Sequence, residues 1–414
     1  MKILVISDLH IGAAARAKDF CTSADEGSSA IVEDFIQDFR ELVAKENISA
    51  THLLIAGDIT NRGETIEFDL AEKRIKDISQ ILNIPHKNVF FVPGNHDGNW
   101  KHEKESVDRG DDPEKTRSAK YLNIRTNSFF SDLLDNSRFS SYYVDPYSAL
   151  WESDDLIVVG VNSSAFDCYD KNVKFGEVNL KCLESLEDKL VKVCNAPRKL
   201  KILLTHHHPK NYTDRTFPKA DLSEMKNAED FLRFASRNQF DFIVHGHKHI
   251  PRFDYQLDSE GYSVNILSAG SFSAQLKDWH NGVANFFHLI EHHDFCPEND
   301  CSRGKVITWS YFTNHKWQKA SLERDYIGFE EFFGLVVLKP KLRKLLSRII
   351  QDGMSEKEYI KWKDILSKDP GLLYCNRKLL YSAIADLSEA LNYEVMPCKT
   401  DDFILWAGGE NELQ

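Results

Sequence analysis

The sequence lacks any long apolar segment. Its longest apolar runs, such as Leu156–Val161, are far shorter than the roughly 18 residues that a membrane-spanning helix needs. The chain enters a strand pattern directly at Met1, without the cationic segment and apolar stretch of a signal peptide. We therefore expect a cytoplasmic protein that does not span a membrane.

The chain also lacks a basic excess and clustered cysteines. The chain has 52 Lys+Arg against 64 Asp+Glu, a net charge of −12. Proteins that coat long nucleic acids usually carry a basic excess, so this balance disfavours that class without excluding a local basic groove. The eight Cys are dispersed, and only Cys296 and Cys301 lie close together. One C-x4-C pair is a poor zinc signature, so we expect reduced thiols.

The chain does contain a regular alternation of strand-like and helix-like segments. Short runs rich in Val, Ile, Leu and Phe predict buried strands. The stretches Ser29–Glu46 and Glu64–Leu82 have helical periodicity and lie between the early runs. This order predicts an α/β fold with parallel strand pairing. The predicted strands are Lys2–Ser7, His52–Ala56, Asn88–Pro93, Leu156–Asn162, Lys201–Thr205, Phe240–Val244 and Tyr262–Ser268, followed by Ala284–Glu291 and Lys305–Phe312.

Two regions fall outside the alternation. Residues 98–153 are polar and partly helical, which predicts a solvated insertion near the site within a domain of residues 1–325. In residues 326–414 two helix-period stretches precede two short apolar runs, Tyr393–Met396 and Phe403–Ala407, that predict a hairpin. This order is compatible with a helical, winged-helix-like module. Its basic residues are either a nucleic-acid contact or the solvated face of a helix; they are Lys339, Lys341, Arg343, Lys344 and Arg348.

The chain is rich in histidine, with 16 His against only 4 Met. Many of these histidines follow predicted strands, at the edge where α/β sheets bind ligands. Each segment alone is explained by turn chemistry, but five together predict a metal site. Carboxylate, amide and imidazole donors suit manganese, iron, zinc, cobalt or nickel. The segments are Asp8-Leu9-His10, Gly57-Asp58, Gly94-Asn95-His96-Asp97, Thr205-His206-His207-His208-Pro209 and His245-Gly246-His247-Lys248-His249.

This order of motifs resembles the calcineurin-like metallophosphoesterase family over roughly residues 1–315. Further matches are Gly160-Val161-Asn162-Ser163 and Ser268-Ala269-Gly270-Ser271. Together with Gly57–Gly63 they are most similar to the cyclic-nucleotide-phosphodiesterase-like branch. The resemblance implies a four-layer α/β/β/α sandwich with two divalent metal ions and a C-terminal, mainly helical appendage outside it.

The resemblance also implies roles for individual residues. Asp58 would bridge the two ions, and His96 would be the catalytic residue that protonates the leaving oxygen or stabilises the transition state. Asp97 would either orient His96 or cap a turn, and Arg62 would either reach a phosphate oxygen or face solvent. The first ion would be held by Asp8, His10, Asp58 and His249, and the second by Asp58, Asn95, His207 and His247.

The triple histidine leaves one ligand open. The family's usual ligand precedes x-Pro, which selects His207, with His206 as the alternative. His208 would then lie beside a ligand or at the surface, and His245 would be packed or hydrogen-bonded.

The expected function is a binuclear metal-dependent phosphodiesterase acting on a small or cyclic nucleotide, with manganese the metal expected to support activity in vitro. The alternatives are a DNA or RNA nuclease whose residues 326–414 contact nucleic acid, and a non-catalytic scaffold. The same C-terminal module would be the site of any protein partner or homo-oligomer.

Overall fold

The computed structural model describes residues 1–12, 29–134, 142–145, 148–170, 175–193, 198–211, 223–258, 261–274, 284–298, 300–312, 316–355, 357–397 and 403–407. The chain divides into two compact units. The first comprises Met1–Glu291 and Ile307–Phe329, and the second comprises His292–Val306 and Glu330–Gln414. The predicted domain border after residue 325 lies four residues before the end of the first unit at Phe329. The second unit also includes His292–Val306, which precedes the predicted border.

The first sheet has the strand order β13-β12-β11-β1-β2-β3, and β14 pairs with β12. Strands β1, β2 and β3 are parallel, whereas β11 runs antiparallel to β1. The predicted strands at both ends of the first unit therefore meet in one sheet. The bounds are β1 (Lys2–Ile6), β2 (His52–Ile55), β3 (Val89–Phe91), β11 (Asn285–Phe295), β12 (Ser302–Phe312), β13 (Lys316–Lys319) and β14 (Glu330–Phe333).

The second sheet has the order β4-β5-β6-β7-β8-β10-β9. Its central strands β6, β7, β8 and β10 are parallel, and antiparallel strands flank them. Strands β4 and β5 come from the predicted insertion, which thus contributes an edge of this sheet. The bounds are β4 (Tyr142–Asp145), β5 (Ser148–Glu152), β6 (Leu156–Gly160), β7 (Leu200–Leu204), β8 (Phe242–His245), β9 (Pro251–Leu257) and β10 (Ser263–Ala269).

Helices cover the outer face of each sheet, and the inner faces meet. Helices α1 (Ser29–Glu46), α2 (Thr65–Leu82) and α6 (Ser128–Leu134) share a core with the first sheet. Helices α7 (Leu180–Val193) and α8 (Ala228–Arg237) share one with the second. Between the sheets, Phe90 packs against Trp151 with ring centroids 5.5 Å apart. The first unit is therefore the four-layer α/β/β/α sandwich that the family resemblance implies.

The other described residues of the insertion are mainly helical. It contains α3 (Trp100–Asp108), α4 (Pro113–Ala119) and α5 (Leu122–Thr126), and α9 (Leu322–Asp325) lies near the end of the first unit. Asn99 caps α3 and Asp112 caps α4 with side-chain oxygens. Helices α5 and α6 are separate, and Asn127 between them accepts hydrogen bonds from the amides of Phe129 and Phe130 at the start of α6.

Among the described residues of the second unit, three α-helices accompany a three-stranded sheet with the order β15-β17-β16. From residue 339 onwards its α-helices and strands are α10 (Lys339–Met354), β15 (Tyr359–Lys361), α11 (Trp362–Lys368), α12 (Arg377–Leu391), β16 (Tyr393–Pro397) and β17 (Phe403–Ala407). The predicted hairpin pairs as β16 and β17, and β15 adds to β17. Among the described residues, no helix is long and apolar enough to cross a membrane.

Candidate metal centre

The candidate ligands lie on loops at the carboxyl ends of strands from both sheets. Asp8 and His10 follow β1, Asp58 follows β2 and Asn95 follows β3. From the second sheet, the triple histidine follows β7, and His247 and His249 follow β8. Because the parallel strands end at a common edge, side chains far apart in sequence converge there.

One group of donors consists of Asp8, His10 and His249, whose ligand atoms lie within 4.8 Å of one another. The Nε2 atoms of His10 and His249 are 3.2 Å apart, and His249 Nε2 is 3.2 Å from Asp8 Oδ1. All three residues are buried. The structure thus brings together the residues predicted to hold a first ion.

A second group consists of Asp58, Asn95, His206 and His247. His206 Nε2 lies 3.3 Å from Asp58 Oδ2 and 3.2 Å from Asn95 Oδ1. His247 Nδ1 lies 3.2 Å from the same amide oxygen and 3.3 Å from His206 Nε2. Four donor atoms therefore face a common point.

Asp58 belongs to both groups, because its Oδ2 atom is also 3.7 Å from His10 Nε2. The geometry of both groups fits metal ions. Nitrogen and oxygen ligands bind such ions at about 2.0–2.2 Å, so ligand atoms of one ion lie roughly 3.0–3.5 Å apart. Six separations of 3.2–3.3 Å match this spacing, whereas His10 Nε2 lies further from the two carboxylates, 3.7 Å from Asp58 Oδ2 and 3.9 Å from Asp8 Oδ1.

The structure brings His206 rather than His207 into the second group, which differs from the expectation based on x-Pro spacing. His206 Nδ1 lies 2.8 Å from the carbonyl oxygen of Ala56, which turns Nε2 towards Asp58. His207 points elsewhere, with Nδ1 3.0 Å from Ser163 Oγ. The physical reason is that successive side chains in the extended segment after β7 alternate in direction. The spacing to Pro209 therefore does not predict which histidine faces the site.

The other two histidines of these motifs are buried beside the site. His208 is fully buried and its ring lies parallel to that of His247, with centroids 6.0 Å apart, so the surface placement considered for it is wrong. His245 is also fully buried, and its Nδ1 atom is 3.1 Å from the carbonyl oxygen of Gly246. Both histidines pack behind the convergent donors.

His96 lies next to both groups, and Asp97 does not orient it. The His96 ring is 4.7 Å from that of His10, and its Nδ1 atom is 2.9 Å from the carbonyl oxygen of Asn61. The Asp97 carboxylate instead accepts hydrogen bonds from the backbone amides of Gly94, Ile59 and Thr60 and from the Thr60 hydroxyl. Asp97 therefore connects the loops that follow β2 and β3. Of the two roles predicted for it, these contacts match the turn cap and not the orientation of His96.

Backbone strain is concentrated at the candidate ligands. Five of them have φ between 50° and 73°, in the left-handed region that non-glycine residues seldom adopt. Such strain persists only where the surrounding structure imposes it, and it clusters at functional sites. The five are Asp8, His10, Asp58, His247 and His249.

Hydrogen bonds from serines hold the first loop in this conformation. Ser271 and Ser273 donate to the carbonyl oxygens of Asp8 and Leu9, both at 2.8 Å. Ser7 Oγ donates to Asp8 Oδ2 at 2.6 Å. The sequence motifs did not predict a role for Ser7, Ser271 or Ser273. Of the three, only Ser271 belongs to a segment that matches the family, Ser268-Ala269-Gly270-Ser271.

Two glycines allow the motif loops to approach closely. A Cβ at Gly94 would lie 2.1 Å from Asp58 Oδ1, and one at Gly246 would lie 2.0 Å from Ser7 Oγ and 2.4 Å from Asp8 Oδ2. These separations are far inside van der Waals contact, so a side chain at either position displaces a candidate ligand.

Charges in the buried site perturb one another strongly. Burial opposes charge on His206, but Asp58 overrides it and raises the pKa of His206 to about 10. Burial likewise opposes charge on Asp58, yet the neighbouring histidines hold its pKa well below the usual range. Burial, reinforced by repulsion from His207, lowers the pKa of His247. A bound cation would thus replace a proton that Asp58 otherwise holds on His206.

The calcineurin-like phosphoesterase family model matches residues 1–251, more than half of the chain. This chain belongs to the calcineurin-like phosphoesterase family. The matched region contains all of the candidate ligands described above.

Solved structures similar to this chain are remote in sequence. They include a predicted phosphoesterase from Streptococcus pneumoniae TIGR4, with 12% identity over 81% of this chain and 97% of that one and a TM-score of 0.30. A Vps29 variant from Entamoeba histolytica has 12% identity, coverage of 77% and 97%, and a TM-score of 0.31. The phosphopantetheinyl hydrolase from Mycobacterium tuberculosis has 14% identity, coverage of 65% and 89%, and a TM-score of 0.31. No curated protein sequence matches the chain.

Proposed function

We propose that this chain is a binuclear metal-dependent phosphodiesterase that hydrolyses a small phosphodiester such as a cyclic nucleotide. The observation that carries the proposal is the pair of donor groups that share Asp58. A scaffold has no need to keep seven buried or half-buried donors at ligand spacing with five of their backbones strained.

In this proposal Asp8, His10, Asp58 and His249 hold one ion, and Asp58, Asn95, His206 and His247 hold the other. When bound, two such ions lower the pKa of a bound water and neutralise phosphoryl charge. Of the triple histidine, His206 would be the ligand, because His207 Nδ1 faces Ser163 Oγ.

His96 supplies the proton in this mechanism. If its Nδ1–H donates to the Asn61 carbonyl oxygen, the proton available for transfer is the one on Nε2 of the imidazolium form. The leaving oxygen takes a proton from that atom as its bond to phosphorus breaks, and the oxygen of a water forms the new bond. The proton released by the water restores His96, so water is added across the P–O bond.

The test measures hydrolysis of bis-p-nitrophenyl phosphate and cyclic nucleotides by the purified chain with manganese, zinc, iron, cobalt or nickel. We expect Asp58→Ala to abolish turnover, and His96→Ala to reduce it by roughly 10²–10⁴-fold, the usual contribution of general acid catalysis. His102→Ala is the matched control, because this half-buried histidine contacts Glu105 outside the donor groups. Unchanged turnover in both site variants would refute the assignment, and full ion binding without activity on any diester would favour a monoesterase or a scaffold.

A nuclease is the second candidate, and the second unit supplies its supporting observation. The order α10, β15, α11, α12, β16, β17 with sheet order β15-β17-β16 is that of a winged-helix module. On α10, Lys341, Lys344 and Arg348 are exposed at helical spacing, which gives an acidic protein a local positive face.

The nuclease is tested by DNA binding of the full chain at several salt concentrations. Reversing the charge at Lys341 and Lys344 should weaken binding and reduce the salt dependence by roughly two counterions. The same charge change at the exposed Lys87 and Lys104 of the first unit is the control. Equal effects of both pairs, or no binding at low salt, would eliminate the nuclease.

A further inference from the structure

The loop Asn61–Gly63 connects His96 to the helical insertion. At one end, the Asn61 carbonyl oxygen lies 2.9 Å from His96 Nδ1. At the other end, the Gly63 carbonyl oxygen accepts a hydrogen bond from Asn123 Nδ2 at 2.7 Å and from Asn99 Nδ2 at 3.3 Å. Two insertion side chains therefore hold the loop whose backbone holds the catalytic histidine.

The loop has little room to move between these contacts. The Asn61 amide donates to the carbonyl oxygen of Ile11 at 3.0 Å, and the Gly63 amide donates to Thr60 Oγ1 at 3.2 Å. Gly63 itself has φ of +67°, and a Cβ there would lie 2.6 Å from the carbonyl oxygen of Asp97. A shift at Gly63 is thus passed directly to Asn61.

Asn123 is itself held firmly, which it must be if it is to position a loop. It is 8% exposed and lies on α5, which follows the fully buried Lys120. The Lys120 ammonium donates to the carbonyl oxygens of Ser164, Ala165 and Asp167 at 3.1, 2.9 and 2.5 Å. These bonds secure the start of α5 against the segment that follows β6.

We propose that Asn123 is a positioning residue that keeps His96 in proton-donating geometry through Gly63 and Asn61, and thereby allows hydrolysis of esters with poor leaving groups. The inference rests on the proposed phosphodiesterase function. Its physical basis is that a displacement of about 1 Å of a catalytic group costs on the order of 10²-fold in rate. The cost falls on the step that needs the proton.

Leaving-group dependence separates this role from a merely structural one. A p-nitrophenolate leaves readily without a proton, whereas an alkoxide needs one. Arg62 lies between Asn61 and Gly63 in the same loop, and a loss that acted through phosphate binding by Arg62 would affect all leaving groups equally. The ratio of rates on alkyl and p-nitrophenyl esters is therefore the decisive readout.

The experiment compares wild type, Asn123→Ala and Asn123→Asp in kcat on diesters with p-nitrophenyl, phenyl and alkyl leaving groups, with manganese as the added metal. General acid catalysis supplies roughly 10²–10⁴-fold, so its partial loss predicts a drop of about tenfold or more on alkyl esters and about threefold or less on p-nitrophenyl esters. Asn123→Asp keeps the side-chain volume and places a carboxylate against the Gly63 carbonyl oxygen, so it tests the same contact if Asn123→Ala fails to fold. Asn123→Gln, which keeps the amide donor, should recover part of the alkyl-ester activity.

Asn127→Ala is the matched control, because Asn127 is 7% exposed in the same insertion but bonds to Asp69, Glu72 and the amides that begin α6. It should lower stability without changing the leaving-group ratio. Equal losses on all esters, or an unchanged ratio in Asn123→Ala and Asn123→Asp, would overturn the positioning role while leaving the proposed function intact. A wild-type chain that binds two ions but hydrolyses no diester would instead refute the proposed function.

Discussion

Replacing the two adjacent histidines His206 and His207 separately by leucine is the sharpest test of the metal centre. Both side chains are fully buried and belong to one segment, so the two substitutions perturb packing to a similar extent. They differ in direction: His206 Nε2 faces Asp58 and Asn95, whereas His207 Nδ1 faces Ser163. Only His206→Leu should therefore weaken metal binding.

The expected magnitude follows from the ligand count. His206→Leu leaves three of the four side chains that form the second group. Removing a residue that merely supports a ligand typically costs 10–100-fold in affinity, so losing the ligand itself should cost about 100-fold or more. That factor corresponds to about 2.8 kcal/mol at about 1.4 kcal/mol per tenfold change. The lost hydrogen bond to Ala56 costs a further ~1 kcal/mol in folding stability.

The assay is titration calorimetry with manganese, supported by metal content after dialysis and by thermal melting without metal. We expect His206→Leu to retain one ion per chain and His207→Leu to retain two, although both melt at lower temperature than wild type. Retention of two ions by His206→Leu together with loss of one by His207→Leu would refute the ligand assignment and restore the one suggested by x-Pro spacing.

Three further predictions concern the loops and the buried core. Gly246→Ala should lower affinity for the first ion by about tenfold or more, because the new methyl group overlaps Asp8; unchanged affinity in calorimetry would contradict this. Asp97→Ala leaves the backbone amides of Gly94, Ile59 and Thr60 without their acceptor and should reduce the free energy of unfolding by about 3 kcal/mol; a loss of activity with unchanged urea stability would instead support a catalytic role. Burial lowers the pKa of His288 from 6.5 to about 4, so its contribution to stability is complete above pH 6.5 and is lost as pH falls towards 4, by up to about 3 kcal/mol. Wild type should lose stability over that range more steeply than His288→Leu, and equal slopes would show that other groups control it.

Much of the first unit could be predicted from local patterns. The helix Ser29–Glu46 has the predicted bounds, and most of the predicted strands that carry ligands differ from the observed ones by only one or two residues. Their apolar runs are buried on both faces and end sharply at polar motifs, so periodicity and composition together define them. The edge strands β9 and β13 were not predicted; their residues are partly exposed and lack such runs.

The sequence by itself determined which chemistry this protein carries, because aspartate, asparagine and histidine at five strand ends are the donor types that divalent ions require. Only the tertiary structure decided which of these side chains converge. It selected His206 over His207, since the direction of a side chain beyond a strand depends on register and on the Ala56 carbonyl oxygen across the sheets. The tertiary structure also places the Asp97 carboxylate against the backbone amide of Thr60 and the Asn61 carbonyl oxygen against His96 Nδ1. Those choices depend on contacts between segments far apart in the chain, which no local pattern records.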